Sequence, residues 1–297
     1  MLLVTPERPA AIENIRRASA EGRFNDSVEP LDPVLDPEEL KADILRYVAR
    51  LDSPVFTVKN FLARLIVDGW MHRFSEGIDE IIGLEKLSGL QGPAFVTASH
   101  FNPFDSGILR TLSRLSGRDR LVAVSQGANF RMPGLNGFVL RNIDVIPLLG
   151  EPSYMNGPFR DLLQRHLDKG RFILIYPEQS MWFNYRKPRP GKRGAYLFAA
   201  QHRLPVIPTF AQLQEYGGES APGFGNVRVV LHVLDPLYPD PSRTDRENSF
   251  VLCRQDYEAR IACYERCYGK PLDYSFTPWD IAGWRGNTDS FPICRKK

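Results

Sequence analysis

Hydrophobic and polar positions change rhythm once along the chain, near residue 93. Before that point apolar residues recur at helical spacing. Residues 36–50 (DPEELKADILRYVAR) predict a helix with Asp36 as N-cap and Pro37 in its first position. Over 54–74, Val58, Phe61, Leu62, Leu65 and Ile66 follow the i, i+3, i+4, i+7, i+8 pattern of a second helix. Residues 1–35, rich in Pro, Glu and Asp, predict an irregular lead. Beyond residue 93, short β-branched runs alternate with helical stretches. Strands are expected at 94–99, 121–126, 143–149, 171–176, 205–212 and 226–234, and helices near 106–117, 156–169 and 193–203. A long helix is expected at 243–269. This alternation predicts an α/β fold: a mostly parallel mixed sheet flanked by helices, with an N-terminal helical pair and a long C-terminal helix. The expected segments are a lead with amphipathic helices (1–92), a core (93–240) and a C-terminal helix and tail packed on it (241–297), together one structural domain.

Composition narrows the classes. With 43% hydrophobic and 25% charged residues the chain has ordinary globular usage, which excludes gross disorder. A net charge of +3 is too mild to imply a nucleic-acid partner. Cys253, Cys263, Cys267 and Cys294 crowd the C-terminal quarter. Cys263 and Cys267 share a helix face, but no CxxC pair or nearby histidine completes a zinc set, so free thiols, a reducing compartment and no metal are expected. The N-terminus lacks the apolar stretch of a signal peptide. No run of 18 apolar residues suggests a membrane span, which leaves surface attachment open.

Five stretches carry candidate chemistry. In Ser99-His100-Phe101-Asn102-Pro103-Phe104-Asp105 an apolar strand ends at a histidine and a helix begins near an aspartate. Strand ends that run into helix starts are where α/β sheets gather ligands. Asp105 could fold back to accept the Nδ1 proton of His100, leaving Nε2 as a base. Alternatively Asp105 only caps the helix and His100 is solvated. In Ile175–Trp182, Glu178 follows a strand and a proline; it either holds a substrate group or caps the next element. Five cations fall between Arg186 and Arg193 in a Pro- and Gly-broken loop, suited to phosphate or else a solvated run. Arg141 closes the short apolar stretch that begins at Gly137. Leu204–Thr209 brackets apolar residues between two prolines.

In this order the stretches resemble the four-block pattern of the glycerolipid acyltransferases, the family that includes 1-acylglycerol-3-phosphate acyltransferase. His100 and Asp105 match its HxxxxD box, Gly137 to Arg141 its second block, Pro177 and Glu178 part of its third, and Leu204 to Thr209 its fourth; the resemblance covers roughly residues 90–240. The third block departs: Gln179 replaces the usual glycine, and Met181 stands where an arginine is common. Pro-Glu-Gln-Ser at this point looks like a bacterial subgroup.

The resemblance implies an enzyme of phospholipid metabolism. It would move a fatty acyl group from acyl-CoA or acyl-ACP to a hydroxyl of a lysolipid or glycerol-phosphate-type acceptor, with no cofactor. His100 is then the general base and Asp105 its partner, with direct attack on the thioester and no acyl-enzyme. Arg141, Glu178, Gln179, Ser180, Arg186, Lys187 and Arg189 are the expected substrate-binding residues, and Val206, Ile207 and Pro208 the expected acyl groove. An acyl substrate implies work at the membrane surface, peripheral on its cytoplasmic, inner face. The helix over 54–74, with Phe61, Leu62, Leu65, Ile66 and Trp70 beside Lys59, Arg64 and Arg73, either lies in the interface or packs on the core. A hydrolase and a non-catalytic lipid-binding relative are the rival readings.

Overall fold

The structure, a computed structural model, describes residues 8–30, 36–74 and 78–286. Its centre is a sheet of β1 (Ile78–Ile82), β2 (Ala94–Thr97), β3 (Leu121–Gln126), β4 (Val145–Leu148), β5 (Phe172–Ile175), β6 (Val206–Ala221) and β7 (Phe224–Val233), in the order β1-β7-β6-β2-β5-β3-β4. All neighbours are parallel except the β6–β7 hairpin. Between the strands and around them run α1 (Arg8–Ala20), α2 (Pro37–Arg50), α3 (Pro54–Phe74), α4 (Asp105–Leu115), α5 (Gly134–Asn142), α6 (Pro152–Asn156), α7 (Pro158–Leu167), α8 (Gly194–Gln201) and α9 (Asp245–Tyr268).

Strand alternation builds two cores. Phe95, Ile173 and Ile175 point to one face with Tyr196 and Ala199 of α8; Val96, Phe172 and Leu174 point to the other with Ile108, Leu109 and Leu112 of α4. The chain therefore leaves β2 by a helix on one face toward β3, and leaves β5 by a helix on the opposite face toward β6. That reversal places a crevice at the carboxyl ends of β2 and β5.

The expected mostly parallel α/β fold and long C-terminal helix are present. Asp36 caps α2 as the sequence implies, accepting from the backbone of Glu38 and Glu39. The lead is not wholly irregular. Ala11, Ile12, Ile15 and Ala18 form a buried helical stripe on α1, the last three packed with Val28, Trp182, Phe183 and Tyr185. β1, α5 and nearly all of α6 also lie where no element was expected, and β6 runs well beyond its expected end. On α3, Phe56, Asn60 and Ala63 are buried. On its outer side Val55, Val58, Phe61, Leu62 and Leu65 are exposed by 62, 59, 58, 45 and 52%. This helix is apolar on both sides. The side chains of Trp70 and Arg73, like Cys294, lie outside the described residues. Among the described residues no helix is long and apolar enough to cross a membrane.

Candidate active site

β2 ends at Thr97, and the chain turns through Ser99 to Phe104 before α4 begins at Asp105. The turn folds the carboxylate back onto its own entrance. Asp105 Oδ2 lies 2.7 Å from His100 Nδ1 and accepts the backbone N–H of Phe101 and Asn102 at 2.9 and 3.2 Å. Its Oδ1 accepts the phenol of Tyr176, at the end of β5, at 2.6 Å. The carboxylate thus bonds to the turn and the imidazole, and no side-chain cap bond is made at the helix start. A carboxylate that already takes three donors is an acceptor toward Nδ1, so Nδ1 carries the proton and Nε2 keeps its lone pair. Asp105 is buried while the His100 side chain stays 26% exposed. The imidazole stacks on the Tyr176 ring, with centroids 4.2 Å apart. Burial first, then the adjacent Asp105 charge, hold the Tyr176 phenol well above its usual value, so it remains a donor.

The third block lies behind this pair, in the interior. Glu178 accepts Ser99 Oγ at 2.7 Å, Arg189 N and Nε at 3.0 and 3.1 Å, and Arg260 of α9 at 3.1 Å. Arg260 also donates to Asp256 at 2.7 Å, and Asp256 in turn accepts Tyr196 at 2.8 Å and the hydroxyl of Thr97. Two carboxylates and two guanidiniums, all buried, make a neutral cluster beneath the last residues of β2 and the start of the histidine turn. Burial opposes the charge on Arg260, but Asp256, Tyr196 and Glu178 outweigh it and raise its pKa.

Three of the five cations of the loop are neither solvated nor free for a ligand. Arg186 donates to Trp279 O and Leu213 O and pairs with Glu215 at 2.8 Å; Lys187 holds Ser275 O and Asp280 at 2.8 and 2.9 Å. Arg189 reaches Phe24 O at 2.7 Å and stacks on Trp182. Each of these three is at most 5% exposed. The expectation that Glu178, Ser180, Arg186, Lys187 and Arg189 present themselves to a head group is corrected by this placement. The N-terminal lead and the segment 273–280 cover the loop, and its counter-charges are Glu215 of β6, Asp280 and Glu178. Lys192, at the loop's end, is exposed. Arg141, half-buried at the end of α5, donates to Phe130 O and Met132 O at 2.7 and 3.0 Å, a brace for the preceding turn.

Gln179 differs from the rest of its block. It is exposed and sits at φ 68°, in the left-handed region that suits glycine. The loop is stitched to the histidine turn by Trp182 N to His100 O at 2.9 Å and Asn184 N to Phe101 O at 2.8 Å.

Val206, Ile207 and Pro208 do not line a groove. They pair with Phe95, Val96 and Thr97 in mid-sheet and are buried in the cores. A small, largely apolar cavity does lie beside Asp105, walled by Ala98, Phe101, Ile108, Ala211 and Leu231. Tyr176, Asp256 and Arg260 were missed by the sequence reading. A tyrosine closing a strand, and an Asp and Arg four apart on one helix, were the available signals. The expectation that no histidine stands near Cys263 and Cys267 also fails in space: β7 brings His232 to 3.3 Å from Cys267 Sγ.

A family model described as Acyltransferase matches residues 68–212, which contain the His100–Asp105 pair and Tyr176. Among solved structures the chain is similar to the 1-acyl-sn-glycerophosphate acyltransferase PlsC from Thermotoga maritima. The identity is 13% and the TM-score 0.46, over 80% of this chain and 98% of that one. No curated protein matches the chain in sequence.

Proposed function

The chain belongs to the acyltransferase family, and on that premise we propose that it moves a fatty acyl group from acyl-CoA or acyl-ACP to a hydroxyl of a lysolipid or glycerol-phosphate-type acceptor, with His100 as base. The observation that carries this reading is the buried, four-donor carboxylate on His100 Nδ1, which fixes the tautomer that leaves Nε2 basic. His100 takes the proton of the acceptor hydroxyl as the oxygen attacks the thioester carbonyl. Asp105 stabilises the imidazolium that results. The tetrahedral intermediate collapses with loss of the thiolate, to which His100 returns the proton. No nucleophilic side chain of the enzyme and no cofactor is needed. The outward apolar side of α3 supports attachment to a membrane surface, where a lysolipid acceptor resides.

A second reading of the acceptor is favoured by one observation, the internal pairing of Arg186, Lys187 and Arg189. With those cations engaged, an acceptor without a phosphomonoester is as well suited as one with it. Purified protein is given acyl-CoA or acyl-ACP with lysophosphatidic acid, lysophosphatidylcholine or monoacylglycerol, and products are read by mass spectrometry. Acyl transfer that His100→Ala reduces by about 100-fold or more supports the proposal. Thioester cleavage at the same rate with and without acceptor would make the protein a hydrolase instead.

A further inference from the structure

Away from the His100 crevice, the C-terminal end of α9 lies against the β6–β7 hairpin. There Cys263 and Cys267, one helical turn apart, face His232 of β7. Cys263 Sγ and Cys267 Sγ are 3.8 Å apart, and Cys267 Sγ is 3.3 Å from His232 Nε2. All three ligand atoms lie within 4.8 Å of one another. A tetrahedral zinc ion with Zn–S of about 2.3 Å and Zn–N of about 2.0–2.1 Å has an S–S edge of about 3.8 Å and an S–N edge of about 3.6 Å. The two measured edges match these to within a few tenths of an ångström.

The surroundings also suit a thiolate-rich metal. Gln212 Oε1, on β6, lies 3.1 Å from His232 Nε2 and offers a neutral fourth oxygen, or a position that a water takes. The amide of the same side chain donates to Cys267 O at 3.3 Å, which holds it in place. Arg266 donates to Cys263 Sγ at 3.2 Å, an N–H···S contact of the kind that orients a metal-bound thiolate. Cys263 and His232 are buried and Phe210 and Tyr264 pack against the site, which keeps bulk water from most of it.

We propose that His232, Cys263 and Cys267 form a three-ligand site for a soft divalent cation of the zinc type, completed by Gln212 or water. Two thiolates and one imidazole select zinc over the hard cations calcium and magnesium, which take oxygen ligands. The site pins α9 to the hairpin one turn past Arg260. It thereby fixes the register in which Asp256 and Arg260 meet Thr97, Ser99 and Glu178. Its role is structural, and it supplies no step of acyl transfer.

The test uses the full chain, kept reduced by a non-thiol reductant, stripped with a chelator and titrated with Zn2+ or Co2+. The wild type should retain one Zn2+ per chain and gain thermal stability from it. With Co2+ it should show thiolate-to-metal charge transfer and the visible bands of a tetrahedral site. Cys267→Ser and His232→Gln should each weaken binding more than tenfold, whereas Cys253→Ser should not. Should the variants fold poorly, the wild-type cobalt spectrum decides alone. A reduced wild-type chain that keeps no Zn2+ and gives no thiolate–cobalt band overturns the proposal. So does full metal retention by a folded Cys267→Ser chain.

Discussion

Asp105→Asn separates two things that Asp105 supplies to His100, a fixed tautomer and a negative charge. Three N–H groups converge on Asp105 Oδ2, whereas Oδ1 meets a single hydroxyl, that of Tyr176. An asparagine fits only with its carbonyl toward the three donors and its amide toward Tyr176. The phenol oxygen can accept that amide, so His100 keeps its Nδ1 proton. The charge, however, is lost. Imidazolium and carboxylate centres at about 4 Å interact by about 4 kcal/mol at an effective dielectric of about 20. Removing this from a transition state that carries an imidazolium slows turnover by about three powers of ten. Stability should fall less, by about 1–3 kcal/mol, because the Tyr176 hydroxyl proton loses its acceptor. The assay is initial-rate acyl transfer with acceptor saturating, paired with a thermal melt. A folded Asp105→Asn enzyme with kcat within about tenfold of wild type would refute the claim that Asp105 acts by its charge.

Gln179→Gly tests whether the left-handed turn is strained. Relief of about 1–2 kcal/mol, offset by about 0.5–1 kcal/mol of glycine backbone entropy, leaves a net gain of up to about 1.5 kcal/mol and should raise Tm by up to a few degrees; a lower Tm means the glutamine is not strained there. The exposed side of α3 should carry the chain onto anionic vesicles, so Phe61→Ser with Leu65→Ser should cut co-flotation at low salt several-fold; equal flotation of wild type and variant would exclude this helix as the anchor. His166 accepts an Arg171 N–H at Nδ1, and burial, then the Arg171 charge, depress its pKa from 6.5 to about 4. Between those values the unfolded chain binds the extra proton, so stability is full above pH about 6.5 and falls by up to about 3 kcal/mol as pH drops toward about 4. His166→Gln should flatten that slope in urea melts taken across the window; a slope equal to wild type would assign the acid sensitivity to other groups.

The parts of the fold that were legible in the sequence are those whose signal is local. Strands such as Phe172–Ile175 and Leu121–Gln126 are short β-branched runs, and Asp36-Pro37 marks a helix start by side-chain chemistry alone. The His100–Asp105 pair was legible for the same reason: five residues and one tight turn bring the two groups together. What was not legible depends on distant chain. β1 forms an edge by pairing with β7, some 150 residues on. The helix α1 hides under Pro, Glu and Arg because its stripe is only Ala and Ile, and it is held by Trp182 and Tyr185 across the molecule.

The cationic loop shows why charge density read along a sequence misleads. Five cations in eight residues look like a phosphate site as long as their partners are unknown. For three of them, Arg186, Lys187 and Arg189, the partners come from Phe24 in the lead, Glu215 on the hairpin, and Ser275, Trp279 and Asp280 near the other end. Buried guanidiniums of this kind are expensive to strand: removing one partner of such a pair costs about 3–5 kcal/mol. Of the three, Arg189 holds Glu178, which also accepts from Ser99 and Arg260 and so braces the turn that carries His100. The third block in this chain therefore holds the His100 turn from behind. Gln179 is the exposed residue of that block, and on the proposed function it is where the block would meet an acceptor. A head group selected there would be read by an amide, which donates and accepts, and not by a fork of positive charge.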